Sequence, residues 1–183
     1  MPGKLALPSA GLPLVVRTYR NLASDREIVL SRGAAPLDAA IEALLPIRCV
    51  IDRYEERGPL GGLLTVMEGL ACERVFAIAG DMPCLDAAFL DRLEAAWRSG
   101  DEALVPAYES AGSRHVEPLA ALYDRRAFLR EGLPVLQSGR GAMRAVIAAL
   151  RTHYVESEPP HLFVNLNTPS DFTALEARER QSA

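Results

Sequence analysis

The sequence predicts an α/β fold: one Rossmann-like three-layer domain, with a mostly parallel sheet covered by helices on both faces. Three observations carry that expectation. Short β-branched runs alternate with longer stretches of helical periodicity, the rhythm of βαβ units. Val75-Phe-Ala-Ile-Ala79 is apolar throughout, as a strand covered on both faces should be. The 183 residues amount to about one domain, and no repeat, low-complexity tract or long polar linker divides them, so residues 1–183 are read as a single unit.

The elements follow in chain order. Leu14, Val15, Tyr19 and Leu22 fall at helical spacings, and Glu27–Leu30 reads as a strand. Leu37, Ala40, Ile41, Leu44 and Leu45 share one helical face after Pro36, and Ile47–Ile51 is the second strand. Leu63, Leu64, Met67 and Leu70 predict a helix starting at Gly61 or Gly62. Beyond Val75–Ala79 come a helix from about Asp86 to Trp97 and a short strand, Ala103–Pro106. Pro118–Tyr123 reads as a strand, 125–136 and 141–150 as helices, and Phe163–Leu166 as a strand. Thr168, Pro169 and Asp171 match an N-cap, a first-turn proline and an early acid, opening a final helix.

Composition removes several function classes. With 49% apolar and 24% charged residues, the chain has ordinary globular content and is not disordered. Its net charge of −4 argues against a nucleic-acid partner, whose phosphates call for the opposite sign. No apolar run approaches the length of a transmembrane helix. Pro8, Ser9, Gly11 and Pro13 interrupt the only early apolar stretch, which excludes a signal peptide. Cys49, Cys72 and Cys84 form no paired spacing and read as small buried hydrophobes in a reducing cytoplasm.

Ligands of such sheets bind beyond the carboxyl ends of the strands, so chemistry is expected in the residues that follow them. Asp81 follows the Val75–Ala79 strand after Gly80. There it either binds Mg²⁺, which favours oxygen ligands and substrate phosphates, or caps a turn. Asp52 follows the second strand and either accepts hydrogen bonds from a nucleoside or is an ordinary turn acid. Gly58-Pro-Leu-Gly-Gly62 precedes an apolar helix, and its glycines either admit a ligand close to the backbone or form a tight connection. Asn165 and Asn167, two apart, share one face of a strand and either bind a polar ligand or tie down a loop. Arg140 and Arg144 either meet phosphate or form a solvated helix start. His115, His153 and His161 show no metal-ligand spacing.

In order along the chain, Gly3-Lys4-Leu-Ala-Leu-Pro, Gly11-Leu-Pro-Leu14, Asp52 with Gly58-Pro-Leu-Gly-Gly62, Gly80-Asp-Met-Pro83, Glu117-Pro-Leu-Ala-Ala-Leu-Tyr123 and Asn165-Leu-Asn-Thr-Pro169 resemble the molybdenum cofactor guanylyltransferases. These belong to the nucleotidyltransferases of nucleotide-diphospho-sugar transferase type. The resemblance implies transfer of GMP from GTP to molybdopterin, with release of pyrophosphate. It places Mg²⁺ on Asp81 and phosphate contacts on Lys4, making these two the catalytic pair. It assigns nucleotide contacts to Asp52, Gly58, Gly61 and Asp81, and to Ser31, where family members carry Asn. Asn165 and Asn167 match the stretch that approaches the pterin. Partners among cofactor-biosynthesis and target enzymes are implied as well. A related transferase using CTP or another acceptor, and a non-catalytic relic of the fold, are the alternatives. The family opens with an apolar strand and a glycine-rich loop ending in Arg-Met, whereas this sequence begins near that Met. A strand missing from inside the sheet would leave ladder groups unpaired, and the natural chain is therefore expected to be longer.

Overall fold

The computed structural model describes residues 6–9, 11–139, 142–156, 160–164, 166, 171–173 and 175. Lys4, Arg140, Asn165 and Asn167 lie outside the described residues, as does most of the expected final helix. A short antiparallel pair, β1 (Pro8–Ser9) and β2 (Leu12–Pro13), leads into α1 (Leu14–Leu22). Next come β3 (Val29–Arg32), α2 (Ala39–Glu42), β4 (Arg48–Ile51) and α3 (Gly58–Glu68). β5 (Arg74–Ile78), α4 (Ala87–Ala95), β6 (Ala103–Ser110), β7 (Ser113–Val116) and β8 (Ala120–Asp124) follow. The remainder is α5 (Arg125–Gln137), α6 (Met143–Ala149), β9 (Thr152–Glu156) and a 3₁₀ turn at Pro160–Phe163.

Two faces of one sheet form the two main cores, because alternate side chains of a strand point to opposite sides. Ala77, Ala103, Val105, Ala121 and Tyr123 pack against Leu60, Leu64 and Met67 of α3, Phe128 of α5 and Val146 of α6. Phe76, Leu104, Ala120 and Leu122 pack on the other side against Phe89, Leu90 and Leu93 of α4, with Leu22 of α1, Met82, Leu85 and Phe163. This is the expected α/β architecture with helices on both faces.

The strand directions are more mixed than the helix–strand alternation suggested. β3 pairs with β4, and β6 with β9, in parallel. β8, however, runs antiparallel to both β5 and β6, and β7 antiparallel to β6. The cause is the β6–β7 hairpin, which turns at Ala111 and Gly112 with φ of 50° and 73°, the left-handed pair that a two-residue hairpin loop favours. It returns the chain so that β8 enters the sheet in reverse. β6 pairs with β8 through Ala103 and Leu104, then with β7 from Ala107 onward. Pro106 sits at that handover, where a missing N–H is tolerated.

Other boundaries shift too. α2 is a short turn capped by Asp38, which accepts from the Ala40 N–H. Phe163 closes a 3₁₀ turn rather than opening a strand, and β9 lies earlier. Along the described residues β4 pairs only with β3 and β5 only with β8, so the sheet falls into two pieces and each of these strands has an edge without a strand partner.

Candidate active site

Asp81 lies just past the carboxyl end of β5, on a loop held from several sides. The Ala79 N–H donates to the Leu119 carbonyl at 2.9 Å, and the Leu166 N–H donates to the Asp81 carbonyl at 3.3 Å. From α1, the buried Thr18 hydroxyl lies 3.0 Å from the Gly80 carbonyl and 3.1 Å from that of Leu14. It has one proton to share between them. One turn on, the Asn21 side-chain amide donates to the Pro83 carbonyl at 2.6 Å. Both ends of Gly80-Asp-Met-Pro83 are thus fastened to a single helix. Asp81 itself is 8% exposed, a nearly buried acid at the rim of the sheet.

No group of three or more His, Cys, Asp or Glu side chains gathers around a common point among the described residues. That donor set does not suit an all-protein metal cage. A single rim carboxylate does suit Mg²⁺, which keeps waters and takes its remaining oxygens from substrate phosphates.

A second cluster forms at the end of the parallel β3–β4 pair. The Asp52 N–H donates to the Arg32 carbonyl at 2.8 Å, extending the ladder by one residue. This brings the Asp52 carboxylate onto the Ser31 hydroxyl, which donates to it. Gly62 faces the pair so closely that a Cβ there would lie 2.9 Å from Ser31 Oγ and 3.3 Å from each Asp52 carboxylate oxygen. Beside it, a Cβ on Gly61 would stand 2.6 Å from the Tyr54 carbonyl oxygen, nearer than real Cβ atoms come. Thr65 fixes this seat from one turn below. Its hydroxyl donates to the Gly61 carbonyl at 2.9 Å and accepts the Arg53 N–H at 3.0 Å.

The helix start is therefore earlier than the apolar spacing indicated. α3 begins at Gly58, with Pro59 in its first turn, and Gly61 and Gly62 are helical. Proline is well suited to the first turn, where its missing N–H has no helical acceptor. The two inner glycines answer to close packing against the strand-end loop rather than to a bend in the chain.

The structure thus joins Ser31, Asp52 and Gly62, and it sets Asp81 in a separate clamp on the larger sheet. Thr18 and Asn21 were not singled out from the sequence. Their helical spacing of three was visible, but their acceptors lie 62 residues away in both cases.

Residues 3–157 match the MobA-like NTP transferase domain, most of the chain. The chain belongs to that family. Relatives of this MobA-like domain include a "Probable molybdenum cofactor guanylyltransferase" of Chloroflexus aggregans, 31% identical over 91% of this chain and 79% of the relative. A protein of the same name from Thermococcus gammatolerans is 32% identical over 94% of this chain and 90% of its own length. Among solved structures, the molybdopterin-guanine dinucleotide biosynthesis protein A of Archaeoglobus fulgidus superposes with a TM-score of 0.78 at 19% identity. That superposition covers 97% of this chain and 91% of the other, and supports a shared fold.

Proposed function

We propose that this MobA-like transferase moves GMP from GTP to the terminal phosphate of molybdopterin, giving the guanine dinucleotide cofactor and pyrophosphate. The observation carrying this reading is the 31–32% identity, over nearly the whole chain, to relatives named for that activity. An oxygen of the acceptor phosphate attacks the α-phosphorus, and the bond from that phosphorus to the bridging oxygen of pyrophosphate breaks. The attacking phosphate is already ionised, so the protein supplies positioning and charge neutralisation rather than a general base.

Ser31 and Asp52 orient the nucleoside. The start of α3, at Gly58 through Gly61, has no side-chain cap and offers its first N–H groups to phosphate. Lys4 neutralises phosphate charge, and Asn165 and Asn167 meet the pterin. Asp81 would hold Mg²⁺, which when bound offsets charge on the phosphates. The reaction needs no nucleic acid or membrane, and among the described residues no helix is long and apolar enough to cross one. Cys72 is exposed and Cys49 and Cys84 only partly buried, rather than buried as expected; the reduced thiols of Cys49 and Cys72 support a cytoplasmic setting, where cofactor-biosynthesis and target enzymes are the partners.

The experiment is pyrophosphate release with molybdopterin present, comparing GTP with CTP. Turnover with GTP at least about tenfold faster supports the reading. Preference for CTP transfers the chain to the cytidylyl alternative, and no turnover with either nucleotide favours the relic.

A further inference from the structure

The β7–β8 turn carries a second acid, one not included in the reaction above. Leu119 of this turn accepts from Ala79, immediately before Gly80 and Asp81, so the turn abuts the Asp81 loop. The Glu117 N–H donates to the Pro106 carbonyl at 3.0 Å, which fixes Glu117 where β6 passes from one neighbour to the other. Its side chain accepts a hydrogen bond from the Tyr108 hydroxyl at 3.0 Å. Tyr108 is itself held between two rings, the His115 imidazole at 5.3 Å and the Phe163 ring at 5.2 Å, both stacked.

The Glu117 carboxylate is therefore oriented before any ligand arrives. Tyr108 takes one of its roughly four lone-pair sites, and the described residues give its second oxygen no hydrogen bond. Partial burial pushes its carboxyl above the usual range, while the Tyr108 hydrogen bond and the nearby charges of His115 and Arg144 pull the other way. Burial, helped by the bond to Glu117, pushes the Tyr108 hydroxyl up to about 12, so it remains a donor at neutral pH.

A fixed, half-buried carboxylate with acceptor capacity to spare suits a planar ring that presents two adjacent N–H donors. The 2-amino-4-oxo edge of a fused pyrimidine is such a group. Both guanine and a pterin carry it. Ser31 and Asp52 belong to the other piece of sheet, and they are the residues read above as facing the nucleoside.

We infer that Glu117, positioned by Tyr108, is the acceptor-binding acid, pairing with the N–H edge of the pterin ring. The inference rests on the proposed guanylyl transfer for the identity of the acceptor. Free pterin is the binding probe, followed by quenching of its fluorescence with the full chain and with Glu117→Gln and Tyr108→Phe. In parallel, KM is measured for molybdopterin at saturating GTP and for GTP at saturating molybdopterin.

Glu117→Gln should weaken pterin binding and raise the molybdopterin KM about tenfold, with the GTP KM moved less than about twofold. Tyr108→Phe should shift the same two quantities by a smaller factor. Unchanged pterin affinity in Glu117→Gln overturns the inference, as does a loss confined to GTP, which would make Glu117 a guanine contact. Equal loss for both ligands with a lowered melting temperature overturns it in favour of a structural role. If the unaltered chain binds pterin but releases no pyrophosphate, the transfer reading fails while the binding arm still decides the role of Glu117.

Discussion

Adjacent glycines in the second turn of α3 should give opposite results when each is changed to alanine. In a helix interior Gly→Ala is worth about 1 kcal/mol of added stability when nothing else changes. At Gly61 the new methyl would stand 2.6 Å from a main-chain oxygen, Tyr54, which cannot rotate aside. Overpacking of that kind costs about 1–3 kcal/mol, so Gly61→Ala should end up to about 2 kcal/mol less stable. At Gly62 the nearest atom is a hydroxyl, Ser31 Oγ at 2.9 Å, which is free to change rotamer. Gly62→Ala should therefore unfold no more easily than the parent, and up to about 1 kcal/mol less easily. Its defect lies in ligand binding. Ser31 would leave Asp52, and losing one oriented polar contact should raise the KM for GTP about tenfold. Urea melts and GTP kinetics on the two variants check both halves. Destabilisation by Gly62→Ala together with a normal KM would refute the separation argued here.

Other substitutions probe the Asp81 clamp and a buried charge. Thr18→Val keeps side-chain shape but removes the donor to the Gly80 carbonyl. It should cost about 1–2 kcal/mol in urea and lower kcat for pyrophosphate release, whereas a stability change below about 0.3 kcal/mol would make the bond incidental. Glu102 is 7% exposed; the Arg151 N–H bonds its carboxylate and holds it below the usual range, with the Arg130 guanidinium adding to this against burial. A depressed folded pKa contributes stability above the unfolded value and loses it as pH falls through the folded one. Arg130 and Arg151 are 55% and 70% exposed, so Glu102→Gln should cost only about 1 kcal/mol at pH 7. That gap should close below about pH 4, and a constant gap from pH 7 to pH 3 would contradict it.

Elements with strong local signals were legible in the sequence. Asp86 and Asp124 cap α4 and α5 through the Phe89 and Ala127 N–H groups, and apolar spacing marks the buried side of each helix. Asp81 could be placed after β5 because an all-apolar run has to end before a charge. Strand direction was not legible, since an apolar run such as Ala120–Tyr123 reads the same either way. β7 was missed because Ser113, Arg114 and His115 lack apolar alternation, although Ala111-Gly112 was a usable turn signal. The glycines of α3 could be read as a loop or as close packing, and only their tertiary neighbours Tyr54, Ser31 and Asp52 decide between these. Tyr108 and Glu117 are nine residues apart with a hairpin between them, and no sequence period links them.

Whether Asp81 carries the metal-dependent step is settled by titrating Mg²⁺ into the pyrophosphate-release assay with the parent chain and with Asp81→Asn. The parent should show saturable Mg²⁺ activation, and Asp81→Asn should lose at least about a hundredfold in turnover while melting as a folded protein. Near-parental turnover in Asp81→Asn, with the same dependence on Mg²⁺, would remove this acid from the mechanism.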